Sequence, residues 1–260
     1  MIARASLLVL LAGCLTRLPP APAAVKGGVL VIEADVDEVV TQGGLVVKRE
    51  RRELVYRHAI ESVQDGIVVH APQVAVLRWV QRDREASAAE RDKLASMLAV
   101  ASPGFRVATD GSWRGLVEGS GGGLVAPDVL EAAARDRWRL VSEGWDAVQR
   151  VGQVDIEDVH EEVGLGQPVP MQIRRSIVSH GPCVQEPRRQ CRVRLLRTEA
   201  RIDPLGEGVG EGVLEARIAD APDSPWPMEV VSERWFEVRS RAGEVSYRKD
   251  VTRRERWRWE

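Results

Sequence analysis

The chain between residues 28 and 84 has the pattern of long β-strands. It is rich in valine and is interrupted by turn-forming residues at positions 42–44 and 64–66. These interruptions are spaced for antiparallel strands joined by tight turns. Because apolar and polar residues alternate around Val74 and Val76, one face of this meander is predicted to be buried and the other to carry charge.

The strand pattern gives way to a predicted helix after residue 86. Ser87 and Glu90 have the spacing of a capping box, in which each side chain satisfies a free backbone amide of the other residue. Leu94, Met97, Leu98 and Ala101 follow at helical spacing, and Pro103 ends the element.

A second helix is predicted to begin near Pro127, after a strand and turn over residues 105–113. Its apolar stripe consists of Leu130, Ala134, Trp138, Val141, Trp145 and Val148. An apolar cavity between this helix and the sheet would be lined by Leu98, Trp138 and Trp145. The alternative is that these side chains fill the core.

Strands return after residue 155. They are predicted at residues 171–180, 191–202, 213–218, 228–239 and 244–259, with a turn or linker at 206–212. In the last strand, one face ends in Trp257 and Trp259. The other face is a basic ladder of Arg254, Arg256 and Arg258.

The order of strands, helices and strands predicts an α+β fold, in which two helices cover one face of a curved antiparallel sheet. Residues 25–260 form this single body, with a sub-boundary near 151–170 left open. The element order is similar to that of bacterial lipoprotein carriers of the LolA-like kind, whose half-open barrel holds acyl chains beneath helices. This resemblance lies in element order alone and assigns no site residue.

Residues 1–24 have the parts of a secretory signal: a positive start at Arg4, an apolar core and small residues near two cleavage sites. Residues 11–14, Leu-Ala-Gly-Cys, resemble the lipobox of bacterial lipoproteins, in which the cysteine, here Cys14, is lipidated and becomes the mature N-terminus. Because Leu15 and not aspartate follows, the resemblance implies an outer-membrane anchor in an organism that has one. Cleavage before Ala24 would instead give a soluble secreted protein, with Cys14 an apolar residue of the signal.

Cys183 and Cys191 flank a short polar loop between two strand-like segments. Once Cys14 is lipidated or removed, the body has an even number of thiols, as expected for a disulfide in an exported protein. A bridge across this loop would stabilise the fold by about 2 to 3 kcal/mol. A metal site or free thiols are the alternatives, although His180 alone does not complete a set of zinc ligands.

The charge balance narrows the range of partners. The full chain has a formal net charge of -2 at pH 7, and 29% of its residues are charged. Nucleic-acid-binding proteins concentrate positive charge on one face, so nucleic acid is not a predicted partner. The high charged fraction is typical of a protein that is not embedded in a membrane.

The sequence predicts no catalytic residue, metal or cofactor. Its densest polar cluster holds Asp155, Glu157, Asp158, His160, Glu161 and Glu162. This cluster lacks the spacing of a calcium loop and is interpreted as a solvated acidic connector. Ser112 and Ser120 lie in glycine-rich turns, but neither completes the G-x-S-x-G pattern of a serine hydrolase.

The sequence thus predicts an exported cell-envelope lipoprotein with a non-enzymatic binding or structural role. Its partners would be a membrane, reached through lipid on Cys14, and an apolar ligand or another envelope protein. One alternative is a periplasmic carrier of a lipid or other apolar ligand. Another is a secreted hydrolase or metal-dependent enzyme that brings His160 together with Ser112 or Ser120 in one cleft.

Overall fold

The molecule is built mainly from β-strands. The computed structural model describes residues 27–108, 112–118, 126–141, 145–162, 168–183, 187–205, 208–221 and 226–260. Of these residues, 67% lie in strands and 14% in two α-helices. The predicted α+β fold is therefore wrong, because the structure is a large open antiparallel sheet in which helices are minor elements.

Thirteen strands and two helices follow one another along the described residues. The strands are β1 (Gly28–Gln42), β2 (Leu45–Val63), β3 (Gly66–Val69), β4 (Gln73–Gln81), β5 (Arg84–Glu85), β6 (Phe105–Ala108), β7 (Trp113–Leu116), β8 (Val154–Glu162), β9 (Pro168–Pro182), β10 (Gln190–Leu205), β11 (Gly208–Asp220), β12 (Glu229–Ser240) and β13 (Val245–Trp259). The helices are α1 (Ala88–Val100) and α2 (Pro127–Val141), and a 3-10 turn follows at Trp145–Ala147.

The first and last of these strands meet in the middle of the sheet. The strand order is β7-β6-β3-β2-β1-β13-β12-β11-β10-β9-β8, and all these pairs are antiparallel. β2 is long enough for two neighbours, because residues 50–57 pair with β4 and residues 60–63 with β3. Strands from before and after the helices thus share one sheet.

Two kinds of predicted local feature are confirmed, namely the turns between the first strands and the capping box of the first helix. Turns separate β1 from β2 at Gly43–Gly44 and β2 from β3 at residues 64–65. The capping box is present, since the backbone amide of Ser87 donates to Glu90 Oε2 at 2.8 Å and the Glu90 amide donates to Ser87 Oγ at 3.4 Å. Both side chains therefore fix the start of α1.

The helices do not form a layer over the sheet. α1 packs beside β4 and has no buried residue. Met97, which continues the predicted apolar stripe, is 57% exposed, so this helix cannot bury a full apolar face. α2 behaves differently, because Ala134 and Trp138 enter the main core among strand residues.

The predicted acidic connector is solvated in part, since Glu157, Asp158 and His160 are exposed, but it is not a connector, because its residues form most of edge strand β8. Asp155 lies opposite Arg175 of β9, and Glu157 follows on the same face. Arg175 is 1% exposed, and its Nη1 donates to Asp155 Oδ2 at 3.1 Å and to Glu157 Oε2 at 2.9 Å. These carboxylates therefore neutralise a buried guanidinium, as burial of a charge requires.

The basic ladder of β13 lies on the outer face of the sheet, opposite acidic residues of β1. Arg254 is in register with Asp35, and Arg256 with Glu33. Arg258 Nη2 lies 3.2 Å from Glu33 Oε1. The ladder is thus matched by carboxylates on the neighbouring strand, at separations where opposite charges attract.

The predicted disulfide is present between Cys183 and Cys191. Both cysteines are buried and pack with Ala221 and Met228 in a small second core. The bridge fastens the ends of β9 and β10 beside the loop that joins them. Cys14, the predicted lipidation site, lies outside the described residues.

Candidate functional site

The inner face of the sheet changes from apolar to charged along β1. Ile32 and Ala34 are buried there, and so is Val36. Glu38 continues the same face and is 6% exposed, as is Glu50 opposite it on β2. Carboxylates are almost never buried without partners, so cations are expected close to Glu38 and Glu50.

A half-open cavity of about 380 Å³ lies between α1, α2 and this inner face. Its volume falls within the range of about 300 to 1,000 Å³ that is usual for small-molecule sites. The apolar part of its wall includes Val36, Leu54, Leu98, Phe105, Leu214 and Val251. The walls therefore come from both helices and from strands on either side of β1.

Glu255 of β13 lines this cavity and binds three donors. Arg137 Nη2 of α2 donates to its Oε1 at 2.8 Å, and Arg253 Nε donates to the same oxygen at 2.5 Å. Trp257 Nε1 donates to Oε2 at 2.9 Å. Burial by itself would raise the pKa of Glu255, but the positive charges of Arg253 and Arg137 outweigh burial and lower it.

The two arginines that share Glu255 also flank one aromatic ring. The guanidinium carbons of Arg137 and Arg253 lie 5.2 and 5.3 Å from the centre of the Tyr56 ring. A guanidinium near a ring face is attracted by the electron density of the ring. Tyr56 therefore helps to hold both cations at the cavity wall.

His58 adds a neutral ring to this cluster. Its Nδ1 lies 3.0 Å from the backbone oxygen of His70, which can only accept, so Nδ1 carries the proton. Burial, followed by the charge of Arg137, lowers the pKa of His58 to about 4. At neutral pH its Nε2 is therefore an acceptor, and this buried atom has no hydrogen-bond partner among the described residues.

A second charged cluster surrounds Glu38 at the other part of the wall. Lys48 Nζ lies 3.0 Å and Arg52 Nη2 lies 2.6 Å from its carboxylate, and Lys249 Nζ lies at 3.4 Å. Glu50 also contacts Lys48 at 3.3 Å. Burial alone would raise the pKa of Glu38, but its hydrogen bond from Lys48 and the surrounding cations lower it.

Positive charge exceeds negative charge along the cavity. The cations in its wall include Arg52, Arg137, Lys249 and Arg253. Among the described residues, the only carboxylates in the wall are those of Glu38 and Glu255. Because His58 is neutral, the charged side chains of the wall carry an excess of positive charge.

The three residues predicted to line an apolar cavity have separate positions. Leu98 lines the cavity, whereas Trp138 and Trp145 are buried in the adjoining core. Trp138 lies 5.9 Å from Phe105 and 6.2 Å from Trp226 between ring centres. Aromatic packing thus fills the space on one side of α2, and the cavity adjoins it.

The residues of the predicted enzyme alternative lie on different elements. His160 is exposed on β8 at one end of the strand order, and Ser112 is exposed just before β7 at the other end. Ser120 lies outside the described residues. No group of three or more His, Cys, Asp or Glu side chains that could hold a metal ion occurs in the part of the chain that the structure describes.

The predicted site residues do not include Arg137, Glu255 or His58. The alternating pattern of the last strand does give a signal for Glu255. This residue falls on the same face as the apolar residues Val251 and Trp257. A charged residue at such a position indicates a buried polar cluster. Its partner Arg137 lies 118 residues away, beyond the reach of any local pattern.

Comparisons with known proteins identify a similar fold. No protein-family model and no curated protein matches this chain. A solved structure described as "lipid-protein interactions in lipovitellin" superposes with a TM-score of 0.51 at 10% sequence identity. The match covers 90% of this chain and 25% of that chain, so this chain spans about a quarter of it. At this identity the likeness concerns the fold alone.

None of the described helices has the length and hydropathy needed to cross a membrane.

Proposed function

We propose that this protein is an exported envelope lipoprotein that binds an apolar ligand in the cavity between α1, α2 and the inner face of the sheet. The observation that carries the proposal is the cavity itself, with Leu54, Leu98 and Leu214 in its wall. A small-molecule site needs this kind of concave apolar surface with a few polar groups at fixed positions. The lipovitellin structure gives support by analogy, since its description concerns lipid–protein interactions.

The anchor is the second part of the proposal. The lipobox-like residues 11–14 would place a diacylglyceryl group on Cys14, and the proline-rich residues that follow would serve as a tether to the membrane. The Cys183–Cys191 disulfide supports export, because such bridges persist in oxidising compartments. Intact mass of the native protein tests this point. A chain beginning at Cys14 with a diacylglyceryl group is expected, and an unmodified chain beginning at Ala24 would contradict the anchor.

Uptake of N-phenyl-1-naphthylamine tests the binding function, because this probe is uncharged and fluoresces in apolar surroundings. We expect the wild-type protein to bind it. Replacement of Leu98 by Asp should weaken binding about tenfold or more, because a carboxylate would be desolvated against the bound probe.

Met97→Asp is the matched control, since Met97 neighbours Leu98 on α1 but is exposed and absent from the cavity wall. Its probe affinity should stay within about twofold of wild type, and thermal unfolding checks that both variants fold. Absence of probe binding to the wild type would contradict the proposal. Equal losses in the two variants would place the probe on the surface, which supports a structural or protein-binding role instead.

A further inference from the structure

The charge around Glu255 is not balanced by the residues that the structure describes. Arg137 and Arg253 both contact Oε1 of this single carboxylate, while Trp257 occupies Oε2. Glu255 is 3% exposed, so solvent screens these charges only weakly. Two guanidiniums and one carboxylate leave one positive charge beside an apolar wall.

The cluster around Glu38 has the same imbalance. Lys48, Arg52 and Lys249 are the cations that contact Glu38 there, and Glu50 is the second carboxylate. Cations thus outnumber carboxylates in both charged parts of the cavity. A ligand that carried positive charge would be repelled at either place, whereas an anion would complete the balance.

Unmet hydrogen bonding occurs at the Glu255 cluster too. The buried Nε2 of His58 lacks a partner among the described residues, and His58 lies in the same wall as Arg137 and Arg253. Buried polar atoms of native proteins are nearly always paired. Because this neutral Nε2 is an acceptor, it needs a donor such as a water molecule or a ligand hydroxyl and does not bind an anion itself, so the preference for an anionic group comes from the charge balance alone.

We propose that the cavity selects an amphiphile with an anionic head, whose carboxylate or phosphate group lies against Arg137 and Arg253 on the cavity side of Glu255. Its apolar chain lies against Leu98, Leu214 and Val251. Guanidinium groups suit such heads because they donate paired hydrogen bonds to carboxylate and phosphate oxygens. This inference rests on the proposed binding function and specifies the ligand class for the same cavity.

Displacement of N-phenyl-1-naphthylamine by ligands that share one ten-carbon chain tests the inference. Decanoate, decanol and decylammonium differ in head charge, and acetate supplies the head without the chain. At pH 7.5 and 0.15 M salt we expect decanoate to bind at least tenfold more tightly than decanol. Decylammonium should bind more weakly than decanol, and acetate should not displace the probe.

Arg253→Gln and Arg254→Gln form a matched pair of neighbours on β13. Arg253 lines the cavity, whereas Arg254 is exposed on the outer face opposite Asp35. Arg253→Gln leaves Glu255 paired with Arg137, so a neutral ion pair remains and folding should be preserved. We expect this variant to lose about tenfold in decanoate affinity and less than about threefold in decanol affinity, with both unchanged in Arg254→Gln.

Three results would contradict either the proposed binding function or the preference for an anionic head. If the wild type binds neither the probe nor any ten-carbon ligand, the proposed function fails. If the probe binds but decanol equals decanoate, only the anionic head is contradicted. Equal losses of decanoate affinity in Arg253→Gln and Arg254→Gln would also overturn it. If Arg253→Gln does not fold, Arg137→Gln replaces it, and the wild-type ligand series remains decisive.

Discussion

The two faces of the β1–β13 pair use the same residue types in opposite ways. On the outer face, Asp35 lies opposite Arg254 and Glu33 opposite Arg256, one acid for each base. On the inner face, Glu255 is buried and shared by two arginines. Matched charges in water contribute little, whereas unmatched charges in an apolar wall are costly. The charges of the outer face are therefore matched, whereas the described charges of the inner face leave an excess of positive charge.

The largest effect that separates the two faces is expected from Glu255→Gln. This change leaves two guanidiniums without their carboxylate, and it should lower the free energy of unfolding by about 3 kcal/mol. Urea denaturation at pH 7 measures this loss. Because the variant has a larger excess of positive charge, added decanoate should restore part of the lost stability.

Glu33→Gln is the matched control on the outer face. Glu33 contacts Arg258 at 3.2 Å with both side chains partly in water, so its removal should cost less than about 1 kcal/mol. This small loss should shrink further in 1 M salt, which screens exposed charges. Equal losses from Glu33→Gln and Glu255→Gln would remove the distinction between the faces.

A smaller effect is expected from the titration of His58. Because the pKa of His58 is about 4 in the folded protein and near 6.5 in the unfolded chain, only the unfolded chain gains this proton between those values. Stability is therefore lost as pH falls from 7 to 5, by about 2 kcal/mol from this residue. His58→Gln should lack this part of the pH dependence.

Urea denaturation of both proteins at pH 7 and pH 5 measures the contribution of His58. Other groups titrate in both proteins, so the difference between the two losses isolates the histidine. Equal losses in wild type and His58→Gln would show that this ring is not held neutral beside Arg137.

Local sequence signals predict the elements of this fold better than their arrangement. The capping box of Ser87 and Glu90 and the Cys183–Cys191 bridge are set by residues close in sequence, and both are confirmed. The acidic segment of β8 was not predictable in this way, since its residues gain their role from Arg175 on the next strand. The fold class is wrong for a related reason. The sequence predicts that α1 forms, but it does not show whether α1 packs into the core, and in the structure no residue of α1 is buried.

The candidate site depends even more on distant contacts. Of the three residues predicted to line a cavity, Leu98 lies in the cavity wall, whereas Trp138 and Trp145 lie in the core. Arg137 and Glu255, which supply its charge, come from elements that meet only in the folded protein. Alternation in β13 indicates which face Glu255 occupies, but the partner of a buried charge follows from strand register and helix position.

The pairing of β1 with β13 has a consequence for folding. Arg57 of β2 contacts Glu260 across 203 residues of chain, and the cavity wall is formed by strands on both sides of this junction. Closing so long a loop costs conformational entropy before its contacts stabilise the fold. We therefore expect the cavity to be among the last parts to assemble, and the unpaired edges of β1 and β13 to need protection from aggregation until they meet.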